Sequence, residues 1–155
     1  MRKRIATAIA VIAPVAGAIG LTVPLANAAA VPSVQIIRVQ YDSPGTDNRS
    51  NTSLNGEYIL LTNTTRAVIN LTGWTVRDNA SHVYRFGAYS LGAGRRVMLH
   101  TGRGTNGKPD SQHVYWQSGA YIWNNDRDTA AVRNTAGRTV DSCSWARLGN
   151  GFSAC

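Results

Sequence analysis

Short segments of alternating apolar and polar residues make up most of the chain after its first 28 residues, and none of them sustains a helical period. The clearest segment covers residues 57–63, where Tyr58 and Leu60 fall on one face and Ile59 and Leu61 on the other. Successive side chains of a strand point to opposite faces. Because both faces carry apolar side chains, the pattern predicts a strand covered on both sides at the centre of a β domain.

Similar alternation predicts further strands on either side of this segment. They cover residues 34–40, 74–78, 83–86, 95–101, 113–116, 129–133 and 139–145. Clusters of Gly, Asn and Asp separate them, which is typical of the turns of an all-β protein. Residues 42–56 are polar and poor in apolar side chains, so we expect an exposed loop there. About eight short strands with such turns indicate an all-β sandwich.

The N-terminal segment has the features of a secretory signal peptide. Residues 1–4 contain the basic n-region, residues 5–25 are apolar, and an Ala-Asn-Ala pattern ends at Ala28. Such a segment is removed on export, and we expect cleavage after Ala28, with Ala30 as the second choice. A membrane anchor is the alternative. No second apolar span follows, so the mature chain is expected to be secreted without membrane insertion, and as a monomer.

Removal of residues 1–28 leaves one domain, predicted at residues 29–145, and a tail at residues 146–155. Both cysteines, Cys143 and Cys155, lie at this end of the chain. An even number of cysteines in an exported chain favours a disulfide, which would hold the tail against the last strand. A loop of this size stabilises by about 3 kcal/mol in the chain-entropy description.

The charge of the chain is moderately positive. The formal net charge is +8, and it falls to +5 when Arg2, Lys3 and Arg4 leave with the signal peptide. The basic residues are spread along the chain, which a solvated surface explains as well as a nucleic-acid partner does.

Two groups of residues form the predicted binding surface. The first is basic and the second is aromatic and able to stack on sugars or bases. They are Arg95, Arg96, Arg103, Lys108, Tyr115, Trp116, Tyr121 and Trp123. For the aromatic residues, packing in the core or at its rim is the interpretation that we favour, and an exposed stacking surface is the alternative.

Candidates for catalysis and metal binding are few. A sandwich could bring His82, His100 and Asp78 together as a minimal acid-base or metal-binding set, although histidines isolated at the surface or on an edge strand are the simpler interpretation. Asp126 and Asp128 lie in an Asn-rich segment that could bind calcium, but turn formation explains them with fewer assumptions. We therefore predict no catalytic residues, no metal and no cofactor.

Six short motifs, in order, resemble the lamin tail domain family. They are Asn-Gly-Glu-Tyr at 55–58, Leu-Thr-Gly-Trp at 71–74, Tyr-Arg-Phe at 84–86, Leu-Gly-Ala-Gly at 91–94, Gly-Arg-Gly at 102–104, and Trp-Asn-Asn at 123–125 leading to Asp-Thr-Ala at 128–130. The chain resembles the bacterial, secreted branch of that family. Arg127 departs from the pattern, since Gly is expected there.

The resemblance implies an immunoglobulin-like β-sandwich that acts as a non-catalytic binding or structural module. Related domains accompany secreted nucleases and other extracellular enzymes. The expected partner is an extracellular protein or polymer, contacted through residues 101–112 and 115–123. The alternatives are an extracellular accessory domain that binds nucleic acid and a small secreted hydrolase.

Overall fold

The computed structural model describes residues 30–108, 111–146 and 149–155. The predicted signal peptide and the cleavage position after Ala28 lie outside these residues. Within these ranges, no helix is long and apolar enough to cross a membrane.

The described chain contains eleven strands and one short helix. In chain order they are β1 (Val34–Gln40), α1 (Asn51–Gly56), β2 (Tyr58–Asn63), β3 (Ile69–Asn70), β4 (Thr75–Arg77), β5 (Val83–Arg85), β6 (Ser90–Leu91), β7 (Arg96–His100), β8 (His113–Tyr115), β9 (Arg127–Arg133), β10 (Thr139–Ala146) and β11 (Phe152–Ala154). Every strand predicted from the alternation is present, with its ends shifted by no more than two residues.

Two sheets enclose the core. The first sheet has the order β11-β1-β2-β7-β8 and the second has the order β10-β9-β4-β5, while β3 and β6 form a small separate pair. All pairs are antiparallel except β7 and β8. The all-β sandwich predicted from the sequence is confirmed.

Strand β2 is the central strand of the first sheet, as the apolar pattern predicts. It pairs with β1 on one side and β7 on the other. Ile59 and Leu61 are completely buried in the core, whereas Tyr58 and Leu60 are half-buried on the outer face. The core-facing side chains of β2 are therefore more deeply buried than those on its outer face, which is only partly covered.

Glu57 precedes β2 and is completely buried. Its carboxylate accepts the backbone N–H of Ile122 at 3.0 Å and that of Trp123 at 2.9 Å. Burial raises the pKa of Glu57 to about 7, and the two hydrogen bonds from the backbone oppose that rise. One carboxyl group thus holds the segment between β8 and β9 against the central strand.

The expectation of an exposed loop at residues 42–56 is wrong for its last six residues. Residues 51–56 form α1, whose N-cap Ser50 accepts the N–H of Ser53 at 3.2 Å. Leu54 is buried at 4% exposure. One apolar residue in a polar stretch gives no periodic signal, so the pattern could not predict this helical turn.

The C-terminal tail supplies an edge strand of the first sheet. Strand β11 pairs with β1, with Val39 opposite Ser153, and a disulfide joins Cys143 of β10 to Cys155. Because β10 belongs to the second sheet, the disulfide links the two layers at this edge. Residues 152–154 were expected to belong to a tail, and in the structure they form strand β11.

Candidate binding surface

The connection between β7 and β8 begins with a loop at residues 102–108, called the glycine loop below, in which Gly102 is buried and residues 103–108 are exposed. Asn51 of α1 holds its start from one side. The Asn51 Oδ1 atom accepts the N–H of Arg103 at 2.7 Å, and Asn51 Nδ2 donates to the Arg103 carbonyl at 3.0 Å. Asn55 donates a further hydrogen bond to the same carbonyl at 3.1 Å. These side chains supply the partners that a neighbouring strand would otherwise give.

Two more amide side chains hold the loop, one from within it and one from beyond β8. Asn106 accepts the N–H of Tyr115 at 2.9 Å and donates to the Tyr115 carbonyl at 2.8 Å. Gln117 Nε2 donates to the Gly104 carbonyl at 2.7 Å and accepts the Gly104 N–H at 3.4 Å. The glycine loop is therefore exposed and nevertheless fixed at three of its residues.

Close packing explains two of the loop's glycines. A Cβ at Gly102 would lie 2.6 Å from Asn55 Oδ1 and 2.8 Å from Asn51 Oδ1. A Cβ at Gly104 would lie 2.5 Å from the ring of Tyr115. Both distances are too short for a side chain, so only glycine lets the loop approach α1 and Tyr115 this closely.

Tyr115 belongs to a row of stacked rings on the outer face of the first sheet. Its ring centroid lies 5.1 Å from that of His100, and His100 lies 5.2 Å from His113. His100 Nδ1 is 2.8 Å from the carbonyl of Asn55 and its Nε2 is 2.9 Å from His113 Nδ1. Burial lowers the pKa of His100. A neutral His100 therefore donates from Nδ1 and accepts the N–H of His113 at Nε2.

The structure separates the basic residues of the predicted surface. Arg103 is exposed at the glycine loop, whereas Arg95 and Arg96 lie at the start of β7, which spans about 14 Å. Lys108 is exposed further along the loop and lines a cavity with Tyr84 and Tyr89. The four residues therefore do not form one basic cluster.

The aromatic residues of the predicted surface differ in how deeply they are buried. Trp123 is 3% exposed and packs between Trp116 and Trp145, with ring centroids 5.8 and 5.9 Å away. Placing Trp123 on an exposed surface was wrong, because it belongs to the core. Trp116 and Tyr121 are half-buried, and the Tyr121 hydroxyl lies 2.6 Å from Ser53 Oγ of α1. Tyr115 is half-buried beside the glycine loop.

His82 and Asp78 contact each other, and His100 lies apart from them. His82 Nδ1 lies 2.5 Å from Asp78 Oδ2, and the His82 N–H donates to Asp78 Oδ1 at 2.7 Å. These residues lie where β4 leads into β5 of the second sheet, whereas His100 is on β7 of the first. The three residues therefore do not assemble into the acid and base set that a hydrolase would require.

The carboxylate of Asp128 accepts hydrogen bonds that hold the turn in which it lies. It is 2% exposed and accepts the backbone N–H groups of Asn79, Asn124 and Thr129 and the side-chain amide of Asn124. Its two oxygens thus face hydrogen-bond donors. Arg127, which replaces the expected Gly, is the first residue of β9 and is not among the residues with a positive φ. In the described part of the chain, no group of three or more His, Cys, Asp or Glu could hold a metal ion.

Sequence reasoning missed the residues that hold the glycine loop, namely Asn51, Asn55, Asn106 and Gln117. Asn51 is 52 positions from its partner Arg103. Local patterns do not reveal a hydrogen bond between segments so distant along the chain. The abundance of side-chain amides around a glycine-rich loop was the one available signal, and it does not identify the pairs.

Two packed sheets and a fixed surface loop define a β-sandwich of the binding or structural class. The family model described as Lamin Tail Domain matches residues 27–147, which is most of the chain, and the chain belongs to that family. The family has a non-enzymatic, immunoglobulin-like fold, in agreement with the two sheets seen here. A comparison with curated proteins finds no match.

Proposed function

We propose that the chain is a non-catalytic module, exported by a bacterium, that contacts an extracellular protein or polymer through the glycine loop and its surroundings. The signal peptide predicted at residues 1–28 supports export. The contact surface comprises Arg103, its neighbours in the loop, and Tyr115 with the stacked histidines beside it. Trp123 has no part in it, since it is buried.

The observation that carries this proposal is the fixed geometry of an exposed loop. Asn51, Asn106 and Gln117 each engage both the N–H and the C=O of one backbone residue. A loop that is already ordered loses less conformational entropy when it binds, so more of its contact energy appears as affinity.

Arg103 supplies the chemistry of the contact. Its side chain is exposed, and no ion pair or hydrogen bond of its guanidinium group occurs among the residues described. Guanidinium groups bind carboxylates and carbonyl groups through several donors at once. A partner surface with such acceptors beside an apolar or sugar face would complement Arg103 and Tyr115.

The nucleic-acid alternative is less well supported. It requires a contiguous basic face, and within the predicted binding surface β7 separates Arg95 and Arg96 from Arg103. A titration of mature protein, residues 29–155, with double-stranded DNA and with purified cell-wall polysaccharide distinguishes the two functions. We expect polysaccharide or protein binding that changes little with salt. DNA binding that collapses between low and physiological salt would replace this proposal with the nucleic-acid alternative.

A further inference from the structure

The outer face of the second sheet carries three arginines on three neighbouring strands. Arg77 lies on β4, Arg85 on β5 and Arg133 on β9. In the sheet register, Thr75 of β4 lies opposite Arg85 on one side and opposite Arg133 on the other. Arg77 is two residues further along β4, so its side chain emerges on the same face as that of Thr75.

This register brings the three guanidinium groups towards one place. Adjacent strands are about 4.8 Å apart and diagonal neighbours about 7 to 8 Å, which is within reach of arginine side chains. All three arginines line a single cavity of about 220 Å³. Thr75, Asn134 and Thr135 also line it and add hydroxyl and amide groups.

No acidic side chain of the described residues offsets the positive charge of the three arginines in the cavity. None of its lining residues is Asp or Glu. Within the described ranges, none of the three arginines forms a salt bridge with a carboxylate. Like charges held this close disfavour one another unless an anion lies between them.

The hydrogen bonds of the arginines are also incomplete. Arg85 donates from Nη1 to the carbonyl of Gly73 at 2.9 Å, which orients one guanidinium at the edge of the cavity. The Nε atom of Arg133 is shielded from water and has no hydrogen-bond partner among the described residues. A buried donor without an acceptor is unfavourable, and an oxygen ligand at this guanidinium would correct it.

We propose that this cavity binds a tetrahedral oxyanion, a phosphate or sulfate group. Such a group has several acceptor oxygens and can engage two or more guanidinium groups at once. The site lies on the second sheet, whereas the glycine loop follows β7 of the first sheet. It is thus additional to the proposed protein or polymer contact, and either one can fail without the other.

The test is a titration of the mature protein with sodium phosphate and, separately, sodium sulfate, each matched in ionic strength with sodium chloride. Binding is followed by 1H–15N NMR and by the melting temperature. We expect saturable shifts of the backbone amides of Thr75, Asn134 and Thr135 and a rise in melting temperature that chloride does not give. The anion with the larger effect identifies the preferred group. Equal effects of all three salts would overturn the proposal.

Paired variants guard against a general charge effect. Arg85→Ala changes an exposed side chain and should weaken the anion response at least fivefold, and Arg77→Ala should do the same from the neighbouring strand. Arg66→Ala removes an exposed arginine outside the cavity and should leave the response unchanged. The proposal is wrong if Arg85→Ala and Arg66→Ala behave alike while both proteins remain folded.

Discussion

Asn51 holds Arg103 by both of its backbone hydrogen-bonding groups, at 2.7 Å to the N–H and 3.0 Å to the carbonyl. The two residues come from α1 and from the connection after β7. The contact therefore transfers the rigidity of the sandwich to an exposed loop. Leu54 is the one buried side chain of helix α1. The helix also contacts Tyr121 through Ser53 and His100 through the carbonyl of Asn55.

Replacing Asn51 should release the start of the glycine loop. Asn51→Ala removes both hydrogen bonds to Arg103, and we expect faster hydrogen exchange at the Arg103 amide. The bonds are exposed, so the free energy of unfolding should fall by only about 1 kcal/mol. Thr52→Ala changes an exposed residue of the same helix and is the control. Similar exchange in both variants would show that Asn51 does not hold the loop.

Gly104 should not tolerate a side chain. In Gly104→Ala the new Cβ meets the Tyr115 ring at 2.5 Å, so the ring must shift and its stacking on His100 must change. We expect a loss of about 1 to 3 kcal/mol from overpacking and altered NMR contacts between Tyr115 and His100. Gly119→Ala is the matched control, because the nearest atom to its Cβ is 4.0 Å away. Unchanged ring contacts in Gly104→Ala would contradict the packing described.

Glu57 should make stability depend on pH. Its pKa is about 7 in the folded protein and 4.5 as the reference for the unfolded chain. A raised folded pKa means that the native state binds more protons between these values. The stabilising contribution is complete below pH 4.5 and is lost as the pH rises through about 7, by roughly 3 kcal/mol.

The comparison with Glu57→Gln isolates this effect. His100 also titrates, and its lowered pKa makes the folded state less stable as the pH falls below 6.5. That contribution is common to both proteins and cancels in the difference. Denaturant unfolding from pH 4 to 8 should show wild type losing stability relative to Glu57→Gln as the pH rises. A constant difference would rule out titration of Glu57 in this range.

The disulfide should stabilise the C-terminal edge of the first sheet. In Cys143→Ser with Cys155→Ser, strand β11 keeps its pairing with β1 but loses the covalent link to β10. We expect a loss of about 3 kcal/mol in the free energy of unfolding. Reduction of the wild-type protein should give the same loss, and hydrogen exchange should increase first at residues 152–154. A reducing agent that changes neither property would refute this role.

The strands were predictable because period-two alternation records which face each residue presents to the core. The position of β2 at the centre of its sheet followed from the apolar side chains on both faces. Helix α1 and the short strands β3, β6 and β11 were missed, since each contains too few apolar residues to form a pattern. The role of Trp123 was misjudged for a different reason: its local sequence does not reveal that Glu57 fixes its backbone beneath the surface.

The exposure of the glycine loop was predictable from the sequence, but the way in which the loop is held was not. Residues 101–112 were expected as a contact loop from their composition. Arg103 is exposed there and Thr101 is buried, and a contact through this loop stays a prediction. The amides that fix the loop come from α1, from within the loop and from beyond β8. Pairings over such distances depend on the assembled fold, which a single sequence does not show.

The most direct test of the central claim compares binding by four versions of the mature protein: wild type, Arg103→Ala, Asn51→Ala and Arg66→Ala. Each is immobilised and titrated with the cell-wall polymer or secreted protein that wild type retains. We predict that Arg103→Ala and Asn51→Ala lose at least tenfold in affinity, the latter because Asn51 no longer holds the start of the loop, while Arg66→Ala binds as wild type does. Equal affinity of all four proteins would show that the glycine loop is not the contact surface.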